Sequence, residues 1–468
     1  MIIQSVAQPI IQSVARSIAN AMRGPSSAPA LPAPTTVNFT SAQFVPGFSG
    51  SISTTKNAAR VYARGSRTLW CGWITGTEAK LTAPSDFGDN DGSMQVAVDG
   101  GAFVSAARTG SVYTLFAGLP HAARFIEVRW VVQMGDAPYI ASSGNVLEVT
   151  GQPPAMVPAS NWVQAGADSA TGIHSGAVIP NAATYTPALI APGGTTYGSN
   201  VSMIKLKGAF TKLVVTLNGI RKIGVSKNGG APVFYSIADE PDEPTRAMIV
   251  PCDGSTSTYY VWDSGTVRND GGHFAVSGNS TLLDIGLRAR IYQPGDSITA
   301  GSGPGATAVN TEVMPVAATL GRVASTLGIS GQTITGCKEM LDRVLPLITV
   351  GANDIAVLAI GGNSASAGID PTEQIDYALC IDELLNKGFT KVWCRAILPK
   401  ADAQAIIDAA NVTLKAVMDA KADPRLVWID TGTWTTYRTQ DTTHPTDLGY
   451  YPDLYNYEQP IYAALLGL

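Results

Sequence analysis

Two kinds of hydrophobic spacing divide the chain. From about Val37 to about Gly286, apolar positions fall in short alternating runs such as "SMQVAVDGGAF", "SVYTLFAGL", "FIEVRWVVQM", "SMIKLKG", "KLVVTLNGI" and "STYYVWDSG". Turn dipeptides rich in Gly, Asn and Asp separate them, and helical spacing is nearly absent. Period-two alternation on short segments predicts antiparallel strands, and many such strands predict sandwiches or barrels. The stretch "GQPPAMVPASNW" (151–162) breaks the region in two, giving a β-sandwich over 37–155 and a second β module over 156–286; one enlarged sandwich is the alternative.

After about Leu287 the spacing changes. Apolar runs "RARIYQP", "LGISGQTIT", "IAVLAIGG", "KVWCRAIL" and "RLVWIDT" alternate with helically spaced stretches "TEVMPVAATLGRVASTL", "CKEMLDRVLPLIT", "PTEQIDYALCIDELLNKG" and "DAQAIIDAANVTLKAVMDAKAD", and a last helix falls near "EQPIYAALLGL". Strand–helix alternation predicts a parallel sheet between two helical layers, a three-layer α/β domain over 287–468. The expected architecture is therefore multidomain, β-sandwich modules followed by α/β.

At the other end, "IIQSVAQPIIQSVARSIANAM" nearly repeats itself, with apolar pairs about every four residues and Pro9 as a break. A helix this short is marginal alone and needs a partner surface. Residues 1–36 thus read as an attachment segment and a Pro/Ala linker, "RGPSSAPALPAPTT"; a frayed tail and a mitochondrial presequence are the alternatives.

Composition narrows the classes. The 468 residues are 45% hydrophobic and 14% charged, enough for real cores and too many for one ordinary domain. A net charge of −5 gives no electrostatic case for nucleic acid, although nothing acidic precedes Glu78. No apolar run spans a bilayer, and no signal-peptide pattern opens the chain. The five cysteines form no CxxC, so neither a disulfide scaffold nor a zinc site is expected; Cys380 and Cys394 read as buried thiols.

In open α/β sheets, ligand sites sit beyond the carboxyl ends of the strands. Ser297, Gly331, Asn363, Asp441 and His444 each follow a predicted strand at that edge. A serine hydroxyl needs a base, which His444 can be, and Asp441 three residues earlier can fix its tautomer. The backbone N–H groups of Ser297 and Gly331 and the amide of Asn363 could supply oxyanion donors. Two decoys lie nearby. "GSGPGA" (301–306) matches a dinucleotide pattern without its strand–helix setting and reads as a lip beside Ser297. "GAND" (351–354) precedes its strand and so falls at the wrong edge.

These four blocks, "GDSIT", "GISG", "GGNS" and "DTTHP…GY", resemble in order those of the SGNH, or GDSL-type, hydrolases. The resemblance covers about Leu287 to Leu468. It implies a flavodoxin-like parallel sheet, no metal or cofactor, Ser297, His444 and Asp441 as catalytic triad, and Ser297, Gly331 and Asn363 as oxyanion hole. One position departs: the third block usually reads Gly-x-Asn-Asp, and Ser364 stands where that Asp would be. A local effect on the loop is expected.

The resemblance implies an ester hydrolase. "MQVAVDGGAF…LFAGLPHAARFIEVRW" resembles the jelly-roll module that precedes the catalytic domain of some acetyl esterases acting on polysaccharides, which implies an acetylated polysaccharide substrate. Tyr259, Tyr260, Trp262, Trp70 and Trp73 are available for a sugar-facing surface, but burial in the cores is the expected reading. The whole layout also resembles a bacteriophage tail-fibre or tailspike protein. That implies a virion or cell-surface location, a bacterial surface polysaccharide as receptor and substrate, contact with other tail proteins or self-association through residues 1–35, and a homo-oligomer such as a trimer. A non-enzymatic adhesin or structural virion protein on the same scaffold, and a lipase-like esterase, are the other readings.

Overall fold

The computed structural model describes residues 35–37, 44–46, 65–82, 93–132, 146–150, 162–164, 173–175, 198–199, 203–218, 222–236, 245–263, 275–280, 282–301, 311–439, 441–446 and 448–468. The expected attachment segment, apart from Thr35 and Thr36, and "GSGPGA" beyond Gly301 lie outside them. Thr35 and Thr36 belong to a strand, Thr35–Val37, that pairs antiparallel with Val146–Thr150.

Upstream of 287 the strand pairing closes in two groups. Strands between Thr35 and Thr150 form two five-stranded antiparallel sheets. Their inward residues, among them Ile74, Leu81, Val96, Leu115, Ile126 and Val149, form one core. Strands between Trp162 and Gly278 form a four-stranded and a five-stranded sheet around a second core of Ile204, Leu206, Leu213, Val215, Tyr259, Val261 and Val276.

The second group is not sealed off from the C-terminal domain. In the strand Met203–Gly208, residues 203–206 are all buried. Ile204 and Leu206 face the sandwich core, while Met203, with Tyr260 and Trp262 of the neighbouring strand Ser257–Asp263, joins the core of the C-terminal domain. Period-two geometry sends alternate side chains to opposite faces, so this sheet is covered on both. Lys205 lies in the same strand, and its Nζ donates to the carbonyls of Leu287 at 2.8 Å and Gly321 at 2.9 Å. Burial lowers the pKa of that ammonium group to about 8. Gly198–Ser199 also adds an antiparallel edge to the C-terminal sheet.

That sheet has five parallel strands: β1 (Arg290–Gly295), β2 (Val323–Ile329), β3 (Ile355–Leu358), β4 (Lys391–Arg395) and β5 (Leu426–Ile429), in the order β2-β1-β3-β4-β5. The solid apolar runs follow from burial on both faces. Ile291, Val357 and Trp393 pack on one side with α1 (Val313–Thr319) and α5 (Tyr455–Leu466). Tyr292, Leu358 and Cys394 pack on the other with α2 (Ile334–Val344), α3 (Pro371–Lys387) and α4 (Gln404–Asp419). α3 carries its own boundary signals: Asp370 accepts the Glu373 amide, Pro371 opens the helix, and Gly388 closes it.

One expected helix is corrected. The stretch "TEVMPVAATLGRVASTL" is helical only to Thr319, and β2 begins at Val323, ahead of the expected "LGISGQTIT". Gly321, at φ +73°, turns the chain out of the helix. Every residue from Val323 to Ile329 is buried, so the position between β1 and the upstream edge overrides the local helical spacing.

Beneath the sheet edge lies a buried charge cluster. Arg395, at the end of β4, places Nη1 2.6 Å from Oε1 of both Glu312 and Glu458. The Gln293 amide of β1 donates to the same Glu312 oxygen at 3.0 Å. Burial pushes the Glu458 carboxyl up, Arg395 pulls it back and Glu312 raises it further, leaving it at about 8. An unfolded glutamate has released its proton well below that. Between roughly pH 4.5 and 8 the folded chain therefore binds the extra proton, so this contribution to stability is full below that window and is lost as pH rises through it. Urea unfolding should show wild type losing on the order of a few kcal/mol more than Glu458→Gln between pH 5 and 8.5. Equal pH slopes in the two proteins would refute a protonated Glu458.

Candidate active site

The turn after β1 carries Ser297, and two glycines make room for it. A Cβ on Gly295 would meet Thr299 Oγ1 at 2.1 Å, and one on Gly328 of β2 would meet the Ala300 nitrogen at 2.3 Å. The Asp296 carboxylate accepts the Ile298 amide at 3.0 Å, and the Asp296 carbonyl accepts that of Ala300 at 3.0 Å. Burial pushes the Asp296 carboxyl up, against the pull of the Ile298 amide and of Arg395 and Lys400. Ser297 itself is 6% exposed.

His444 and Asp441 come from the loop beyond β5. The His444 Nε2 lies 2.9 Å from Ser297 Oγ, and Nδ1 lies 2.7 Å from Asp441 Oδ2. The other Asp441 oxygen accepts the amides of His444 at 2.7 Å and Thr443 at 3.1 Å. Partial burial raises the Asp441 carboxyl, but these two amides and the ring outweigh it and hold it at about 2. From the segment after His444, the Tyr450 hydroxyl donates to the Ile298 carbonyl at 3.1 Å, tying that segment to the Ser297 turn.

Asn363 sits in a helical turn, Gly362–Ala365, beyond β3, and its Nδ2 donates to the Gln332 carbonyl at 2.9 Å. Gln332 follows Gly331, which stands exposed in the turn after β2 at φ +77°. The second and third blocks are thus joined by that bond. Gly331 is not among the residues lining the cleft at Ser297. Ser364 accepts the Ile334 amide at 3.1 Å and donates to the Glu373 carboxylate of α3. The acid of the usual third block is replaced by a hydroxyl that reaches an acid on a neighbouring helix.

The cleft is lined by Asp296, Ser297, Ile298, Gly362, Asn363, Ile397, Leu398, Lys400, Tyr437 and Thr443. Ile397, Leu398, Lys400 and Tyr437 were missed at the sequence level. The first three come after β4 at the same edge, so the strand-end rule applied to "RAILPK" would have found them. Asn353 lies at the opposite, amino edge. Its carbonyl accepts Arg322 Nη1, and Asp354 accepts the amides of Arg290 and Gly351, both at 2.8 Å. Of the two readings of the aromatics, core packing holds for the four whose burial is described. Trp73, Tyr259, Tyr260 and Trp262 are at most 4% exposed: Trp73 packs edge-on against Phe125 in the first sandwich, and both faces of the strand Ser257–Asp263 are covered by cores. Trp70 falls in the strand Gly65–Gly76.

Residues 295–451 match the model of the GDSL-like Lipase/Acylhydrolase family. The C-terminal domain is therefore a GDSL-like, SGNH-type hydrolase domain, and its reaction class is that of an esterase. No curated protein matches the chain. Among solved structures, a family two carbohydrate esterase from Clostridium thermocellum, in complex with cellohexaose, aligns at TM-score 0.42 and 18% identity over 58% of this chain and 93% of its own. A family two carbohydrate esterase from Cellvibrio japonicus aligns at 0.44 and 13% over 65% and 98%. A putative GDSL-like lipase from Bacteroides ovatus aligns at 0.43 and 16% over 66% and 97%.

Ser364 gives a direct test of the altered block. Ser364→Ala leaves the buried Ile334 amide without its acceptor and should cost about 1–3 kcal/mol in urea unfolding. Ser364→Asp restores the usual residue but sets a second carboxylate against Glu373, and should cost at least as much. An Asp variant more stable than wild type would mean that Glu373 does not fill that role.

Proposed function

We propose that Ser297, His444 and Asp441 hydrolyse esters as a catalytic triad. The observation that carries this reading is the single imidazole bridging Ser297 Oγ at 2.9 Å and Asp441 Oδ2 at 2.7 Å. With Nδ1–H donated to the ionised Asp441, Nε2 is left as acceptor for the serine proton. As Oγ attacks the ester carbonyl, that proton passes to Nε2, and the carbonyl π electrons move to oxygen. The imidazolium then returns the proton to the departing alkoxide. Water repeats the sequence on the acyl-serine and releases the acid.

The tetrahedral oxyanion needs donors already in place. The Asn363 amide nitrogen carries two hydrogens, one used on the Gln332 carbonyl. The other, with the backbone N–H of Ser297, is assigned to the oxyanion; Gly331, which stands outside the cleft lining, is kept as third donor on its motif position alone.

A small acyl group fits the cleft better than a long chain. Its apolar lining is short, consisting of Ile298, Ile397 and Leu398, and offers no extended apolar channel to a fatty tail. Acetyl esters of a polysaccharide, met at a virion or cell surface, are the proposed substrates. In this reading residues 1–34, ahead of the first paired strand, attach the chain to a partner or to its own copies. Deleting them should leave ester turnover unchanged and alter assembly measured by light scattering.

Ser297→Ala should abolish acetate release from small acetyl esters and acetylated glycans while leaving the melting curve in place, a loss of several orders of magnitude. Unchanged turnover would sink the enzyme reading. Asn363→Ala should lower kcat about 10²–10³-fold with little change in KM, whereas Asn353→Ala should leave both near wild type. The reverse pattern would put the oxyanion at the other sheet edge. Asp441, held at about 2, stays ionised above roughly pH 3, so it adds no limb of its own to the pH profile of kcat/KM there. An Asp441→Asn variant as active as wild type would show that another group orients the ring.

A further inference from the structure

Lys400 has no part in the chemistry above, yet it lines the cleft with Ser297 and Asn363. Among the described residues it is the one lysine or arginine of that lining. Among the described residues its ammonium group makes no hydrogen bond or ion pair. The other charged lining residue, Asp296, is buried and turned back onto the Ile298 amide. The remaining lining is neutral.

The backbone that presents Lys400 is held from several directions. Asn411 of α4 bonds both the amide and the carbonyl of Ile397, at 2.8 and 3.1 Å. The buried Thr431 hydroxyl donates to the same carbonyl at 2.8 Å. The Tyr437 hydroxyl donates to the Pro399 carbonyl at 2.6 Å, and the Ala403 amide to that of Lys400 at 3.1 Å. A loop tied down by these bonds thus carries to the rim of a cleft with apolar walls a cation that acts on Asp296 only through its field and has no hydrogen-bond or ion-pair partner among the described residues. Low-dielectric walls strengthen the field of such a charge where the substrate lies.

We propose that Lys400 is a specificity-determining residue that selects esters bearing a carboxylate close to the ester carbonyl. This deepens, and rests on, the esterase reading. A carboxylate on the alcohol part describes an acidic sugar acetylated on a neighbouring hydroxyl; one on the acyl part describes a half-ester of a dicarboxylic acid. Either meets the ammonium group while the carbonyl lies at Ser297, and neither changes the acyl-transfer steps.

The full-length chain should be assayed on two matched pairs. One is a mono-O-acetylated methyl glucuronoside against the corresponding methyl glucoside. The other is 4-nitrophenyl hydrogen succinate against 4-nitrophenyl butyrate. Wild type should favour the carboxylate member of one pair about tenfold in kcat/KM, mainly through KM, the size of a hydrogen bond to a charged group. The pair that responds identifies which part of the ester carries the charge. In Lys400→Gln the preference should fall to about one, in Lys400→Arg it should largely return, and salt at about 0.5 M should weaken it in wild type. A preference that persists in Lys400→Gln would overturn the proposal. So would wild type turning over the neutral esters with no preference in either pair, or an equal loss of kcat on both members of a pair. Those results leave the triad standing, whereas a protein that hydrolyses none of the four overturns the esterase reading and this inference with it.

Discussion

A hydroxyl and an imidazole 147 residues apart in the chain stand at 2.9 Å only where both loops are fixed within a few tenths of an ångström. The parallel sheet supplies the coarse part of that constraint by bringing strand carboxyl ends to one edge. In the order β2-β1-β3-β4-β5, the crevice between β1 and β3 receives the Ser297 turn from one side and the Asn363 turn from the other. The fine part is local. Gly295 and Gly328 let neighbouring backbone close around the Ser297 turn, and Tyr450 clasps it from the segment after His444.

Holding that edge still requires polar groups inside the protein, where an unpaired one is expensive. Arg395 answers with two glutamate carboxyl groups on one guanidinium nitrogen, set between the end of β4, Glu312 beside α1, and α5. Because Glu312 also takes the Gln293 amide, and Gln293 Nε2 lies 3.4 Å from Thr299 Oγ1, the cluster is connected to the turn that bears Ser297. Lys205 does the corresponding work at the junction with the second sandwich. Its two carbonyl partners, Leu287 and Gly321, lie just before β1 and just after α1. The upstream module is therefore continuous in packing with the hydrolase domain, through Met203, Tyr260 and Trp262.

The C-terminal strand–helix alternation and the strand edge of each motif residue could be read from the sequence because they depend on local periodicity and chain direction. Apolar runs of four to seven residues mean strands buried on both faces, and a residue just after such a run can only lie at the carboxyl edge. That logic separated Asn363 from Asn353 although "GAND" is the closer motif match. Local spacing failed at residues 323–327, which suit a helix and a buried strand alike. The choice fell to the vacant position beside β1 in the sheet.

Other features depend on groups distant in sequence, and only the tertiary structure decided them. "SMIKLKG" does not announce that its two faces serve two cores, since apart from Tyr260 and Trp262 the second core is built from residues more than eighty positions later. "STYYVWDSG" supplied aromatics that a sugar surface and a core would use equally, and burial settled the matter. Ser364 had a known departure but no visible partner until α3 brought Glu373 beside it. Lys400 carried no signal beyond its place after β4, because an unpaired cation is defined by what surrounds it. The sequence determined which residues stand at the reacting edge, for strand direction is local. Which of them touch was fixed by packing between elements far apart in the chain.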